Sequence, residues 1–139
     1  KLDGHKVEHS ILLEAGTYTV ELVIDAQPKA LYSSAHVVHN INKVSFQYGP
    51  FIYCAETLDQ DAPVYHYLVD PKEIESVWVQ DDLGCRHNLE LAANKINTGT
   101  ALYSYSQETQ EDTQVLRLIP YYLWANRGLS DMLVWLNRK

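Results

Sequence analysis

The feature that most constrains this chain is an alternation of apolar and polar residues with a period of two, repeated in short runs broken by turn-forming residues. In Lys43 to Tyr48, the side chains of Val44, Phe46 and Tyr48 point one way and their neighbours the other. That spacing suits a half-buried strand, whereas a helix would need apolar residues three and four apart. Thr17 to Ile24 repeats it: Tyr18, Val20, Leu22 and Ile24 share one face, after a turn at Glu14-Ala15-Gly16. Pro28 cannot donate to a ladder and marks a break or an edge. Further strands are read at Ala30 to Val38, Phe51 to Ala55 after the Gly49-Pro50 bend, and Val64 to Val69, closed by Asp70-Pro71. Ile74 to Gln80 sets Val77 and Val79 opposite Trp78, and Asp81-Asp82-Leu83-Gly84 is a turn. Thr100 to Ser106, Val115 to Ile119 and Met132 to Leu136 complete the series. Asn88 to Lys95 fits either a ragged strand or a single helical turn, and the polar Gln107 to Thr113 reads as a solvated loop. Many short strands without a long amphipathic helix predict an all-β fold, an antiparallel sandwich or barrel.

Composition bounds the rest. A chain of 139 residues can bury one core without staples. With 46% apolar and 21% charged residues it belongs with globular proteins. Lys plus Arg is 11 against 18 for Asp plus Glu, a net charge of −7 that suits a phosphate backbone poorly, so no nucleic-acid partner is expected. No run of about 18 apolar residues is present, so no membrane-spanning helix is expected. Cys54 and Cys85 could pair, but spacing alone does not place them within bonding distance, and they read as two free thiols in a reducing compartment, which sets the expectation of a cytoplasmic protein. The chain starts at Lys1 with no leader pattern and is read as an excised piece of a longer protein.

The candidate chemical sites each have a plainer explanation. His5 and His9 are four apart and His36 and His39 three apart, but in strands or loops these spacings bring no two rings together. No His-Glu-x-x-His or Cys-x-x-Cys motif is present, so no metal site is expected. Asp81-Asp82 and Glu111-Asp112 are paired carboxylates on polar turns, without the apolar setting that prepares one of them as an acid. No Gly-x-Ser-x-Gly elbow and no glycine-rich phosphate loop occurs. The tyrosines cluster as Tyr65 with Tyr67, Tyr103 with Tyr105, and Tyr121 with Tyr122. On a strand, each of the first two pairs places its rings side by side. Such rings serve either as core or as a platform for the C–H face of a sugar.

Two segments are more specific. Gly49-Pro50-Phe51-Ile52-Tyr53-Cys54-Ala55-Glu56 follows Asn42 to Tyr48, and Ile119-Pro120-Tyr121-Tyr122-Leu123-Trp124-Ala125-Asn126-Arg127-Gly128 precedes Met132-Leu133-Val134-Trp135-Leu136. Together they resemble the closing part of the bacterial β-L-arabinofuranosidase-like glycoside hydrolases, family 127 and its relatives, over about residues 14 to 137. The resemblance implies a C-terminal domain, an antiparallel β-sandwich of jelly-roll type, forming a single domain over residues 1–139. It also implies that the nucleophilic Cys, the acid/base Glu and the zinc ligands belong to a helical toroid outside these residues, so that this chain has no catalytic residue and no cofactor of its own. Cys54 is then not the nucleophile, since a thiol on an apolar strand lacks a basic or metal neighbour. The implied role is an accessory domain that braces or docks that catalytic domain, with subunit contacts as a further possibility. Trp124, Asn126 and Arg127 are the candidates for interdomain docking, internal bracing or ligand contact. The alternative is a carbohydrate-binding module with weak saccharide affinity, using Tyr65, Tyr67, Tyr103 and Tyr105. A small stand-alone hydrolase or lyase is a third reading, and it needs a deep polar pocket. Tyr48 stands where the family usually has Arg, and Leu129-Ser130-Asp131 where many members have a Pro and an acidic residue. The first difference removes a possible ion pair to a neighbouring domain.

Overall fold

A computed structural model describes residues 10–21, 26–96, 101–103, 105–106 and 109–139, with only the backbone at 109–112. The strands are β1 (Pro28–Leu31), β2 (Lys43–Tyr48), β3 (Phe51–Glu56), β4 (Tyr67–Asp81), β5 (Gly84–Ile96), β6 (Thr109–Pro120), β7 (Met132–Leu133) and β8 (Leu136–Arg138). Four single 3₁₀ turns, and no α-helix among the described residues, complete the secondary structure.

The chain is all-β, but its strands close on themselves instead of forming two facing sheets. Following the hydrogen bonds, β2 pairs with β8, then β4, β5, β6 and β3, and β3 returns to β2. Six strands therefore make a closed barrel, with β1 and β7 added outside the ring. This corrects the expected jelly-roll sandwich. It also corrects the purely antiparallel expectation, because β8 runs parallel to β4, with Leu68 opposite Asn137. Closure removes the exposed edges that an open sheet would leave.

The alternation read from the sequence fills the barrel. Val44 and Phe46, Tyr53 and Ala55, Tyr67 and Val69, Leu89, Leu91 and Ala93, and Leu116 and Leu118 are all buried in one interior cluster, each set spaced by two. Cys54, Glu56 and Ile119 are buried too, yet have the opposite parity and lie outside that cluster. They belong to the outer wall of β3 and β6, where Cys54 is opposite Ile119.

Several boundaries differ from expectation. Lys43 to Tyr48 is the strand expected, and the Gly49-Pro50 bend is a two-residue hairpin turn in which Gly49 has φ +56°. A positive φ followed by Pro is the pattern of a type II′ turn. Residues 17–21 are exposed and not in a strand, and Leu22 to Asp25 lie outside the described residues. The strand expected at Ala30 to Val38 is the short edge strand β1, which begins at Pro28, a position where a missing N–H is tolerated. Pro71 does not end a strand. It lies within β4 at a register irregularity between Val69 and Ile74. Asn88 to Lys95 is strand throughout, paired on both sides. The expected loop is also strand from Thr109 onward, with residues 107–108 outside the described set. Residues 101–103 and 105–106 are exposed and irregular, not the expected strand, and Met132 to Leu136 is split between β7 and β8.

Candidate functional site

The C-terminal end of β3 puts a carboxylate where the alternation calls for an outer-wall residue. Glu56 is 0% exposed, so its charge needs partners. Ala125 N–H donates to Glu56 Oε1 at 3.0 Å, and the Arg127 guanidinium forms a very short ion pair with Glu56 Oε2. The same guanidinium makes a bidentate pair with Asp59, at 2.6 and 2.5 Å. Two carboxylates on one fork, the Asp59 hydrogen bonds first and then Glu56, hold the Arg127 pKa above its ordinary value. This cluster ties the Trp124-to-Gly128 turn onto β3 across 71 residues of sequence. The turn itself needs left-handed backbone, which falls at Ala125 (φ 63°) and Gly128 (φ 125°).

Arg127 thus has both arms of its fork engaged within the domain. Asn126 is exposed, and its N–H donates to the Leu123 carbonyl at 3.3 Å. Trp124 is partly exposed and stacks on Tyr121 at 6.3 Å and 13°. Tyr122 belongs to the same 3₁₀ turn and leans on Phe51 at 5.2 Å.

The expected tyrosine platform does not form as a strand face. Tyr67 is core, with its hydroxyl bonded to Asp61. Burial, reinforced by that bond to a carboxylate, pushes its pKa to about 12. Tyr65 is exposed but sits in a 3₁₀ turn, edge-on to His66. Tyr103 and Tyr105 are exposed outside any strand, so they are not side by side on a strand face.

Sequence reasoning missed two features. Asp81 is not merely a solvated turn residue: it holds Arg86 through two bonds of 2.5 and 2.8 Å and accepts the Leu83 N–H at 2.9 Å. Arg86 beside it holds the Asp81 carboxyl down at about 2. The second is an aromatic cleft of about 290 Å³ where the β2–β3 hairpin, β4, β5 and the Tyr121–Leu123 turn meet. The aromatic residues were visible in the sequence, but not that Tyr48, Phe51, Trp78 and Tyr122 line one hollow.

Both cysteines are free. Burial pushes the Cys54 thiol to about 12, with Glu56 and Asp59 adding to the rise. This is the opposite of what activates a nucleophile. Among the described residues, no group of three or more His, Cys, Asp or Glu could hold a metal ion, so they do not fit the zinc of the resemblance.

The described residues thus form a closed barrel that carries an anchored aromatic turn and a buried thiol of raised pKa. The family model described as the glycoside hydrolase family 127 C-terminal domain matches residues 28–137, and the chain belongs to that family. It is 28% identical to a non-reducing end β-L-arabinofuranosidase of Bifidobacterium longum subsp. longum, covering 92% of this chain and 21% of that protein. Among solved structures, it resembles a GH127 β-L-arabinofuranosidase from Geobacillus stearothermophilus T6, with a TM-score of 0.76 and 27% identity over 82% of this chain and 18% of that one. A GH127 β-arabinofuranosidase matches with a TM-score of 0.72 and 29% identity, over 83% of this chain and 18% of that one. The chain therefore spans about a fifth of the length of these relatives.

Proposed function

We propose that this chain is the non-catalytic accessory domain of a family 127 glycoside hydrolase acting on β-L-arabinofuranosides, and that it braces or docks the catalytic domain. The observation that carries this reading is the anchored turn. Two exposed, stacked rings, Tyr121 and Trp124, stand on a segment fixed from beneath by a buried ion pair. Rigid exposed aromatics suit a protein contact because little side-chain entropy is lost when they are covered. In this reading Trp124 and Asn126 face the catalytic domain, and Arg127 holds them in place.

The test compares this chain with the full reading frame that encodes it. The longer product is expected to hydrolyse an aryl β-L-arabinofuranoside, and this chain alone to give no turnover. Trp124→Ala should lower the melting temperature and activity of the longer product more than it lowers the melting temperature of this chain. Equal effects on both would reduce Trp124 to internal packing. Turnover by this chain alone, abolished by Cys54→Ser, would overturn the reading.

A further inference from the structure

The aromatic cleft adjoins the anchored segment through Tyr122, but its lining includes neither Tyr121 nor Trp124, the rings assigned to the accessory role. Its walls are Tyr48, Phe51, Trp78, His87 and Tyr122, and Arg86 lines it too. The rings are set at angles to one another. His87 lies 5.0 Å from both Tyr48 and Trp78, tilted at 37° and 68°, while Phe51 and Tyr122 are 5.2 Å apart at 56°. These aromatics are not used up in the core: Trp78 is 60% exposed and Tyr122 57%. At about 290 Å³ the hollow sits at the lower edge of the roughly 300–1,000 Å³ typical of small-molecule sites.

The charge state narrows what can enter. The Arg86 guanidinium is neutralised by Asp81 and further held by Asn88 at 3.0 Å, so the described residues of the cleft offer no free lysine or arginine for a phosphate or carboxylate. The chain's net charge of −7 also disfavours an anionic ligand. What remains is a neutral molecule with an apolar face to lie on rings and polar edges to bond. Polar side chains, Arg86 and His87, line the hollow beside the rings. A sugar ring has that construction, with C–H groups on its faces and hydroxyls around its rim. The chain belongs to a glycoside hydrolase family.

We propose that this cleft binds a neutral saccharide, one or two sugar units in size, with Trp78 and Tyr122 as its stacking walls. This goes beyond the accessory-domain reading and does not rest on it.

The experiment titrates the purified chain with methyl β-L-arabinofuranoside and with arabino-oligosaccharides, following indole fluorescence and two-dimensional amide spectra. Saturable shifts are expected at residues lining the cleft. Trp78→Ala and Tyr122→Ala should each weaken binding by up to about tenfold, in keeping with the loss of one stacked ring. Trp78→Phe should restore part of it, and Leu129→Ala, at an exposed residue outside the cleft lining, should leave it unchanged. Amide spectra of each variant report its folding, and Trp78 is exposed enough that its loss should not unfold the barrel. Flat titrations with both probes would overturn the proposal, as would binding unaffected by Trp78→Ala and Tyr122→Ala. So would a cleft that stays silent to sugars but whose Trp78→Ala variant impairs the longer enzyme's assembly, which would make it a domain contact.

Discussion

Arg127→Met tests the ion-pair cluster directly. The substitution keeps an apolar stem of similar length but removes the charge that Glu56 and Asp59 share. The Glu56 side chain is 0% exposed and would keep only the Ala125 N–H as partner. Breaking a buried pair from one side costs about 3–5 kcal/mol because the remaining charge is stranded. Arg127 retains 28% exposure, so the lower end applies, about 3 kcal/mol. For a domain of this size that is about 10 °C in melting temperature. Adding Glu56→Gln to Arg127→Met removes the stranded charge and should recover part of the loss. Urea melts of all three proteins at neutral pH measure this. A deficit below about 1 kcal/mol that is unaffected by Glu56→Gln would mean the pair behaves as a surface salt bridge, and the bracing argument would fail.

Two further outcomes follow from the same geometry. Asp81 is held at about 2 by Arg86, so its stabilising effect should be present above pH ~4 and fade as pH falls toward 2. Melting temperatures of wild type and Asp81→Asn should accordingly converge on acidification, and a constant gap from pH ~5 to ~2 would contradict this. The exposed Cys85 should react with a thiol-specific dye in the native chain, whereas Cys54, buried with its thiol pushed to about 12, should react only after denaturation. Native labelling of Cys54 at a rate like that of Cys85 would show that the outer wall of β3 is not covered.

Much of the barrel was legible because its interior obeys a local rule. Val44 with Phe46, and Leu116 with Leu118, are two apart in sequence and therefore on one face wherever the strand ends up. Strand limits were less legible. Pro71 looked like a stop, but a register irregularity absorbs it. Asn88 to Lys95 carries a polar-apolar mixture that no local rule decides, and it became strand because β4 and β6 pair with it on both sides. The Thr109 to Thr113 stretch was read as loop on polarity alone, while its backbone pairs with β5.

The sequence by itself determined an all-β chain, the shared facing of residues such as Val44 and Phe46, the Gly49-Pro50 bend and the family to which the two motifs point. Tertiary structure decided what depends on distant segments meeting. Closure into a barrel requires β3 to reach both β2 and β6, and β8 to lie parallel to β4. The pairing of Glu56 with Arg127, the Asp81 clamp on Arg86 and the gathering of Tyr48, Phe51, Trp78 and Tyr122 around one hollow arise only once that closure has occurred. Period-two patterning specifies which way a side chain faces, and carries no information about which strand will lie beside it.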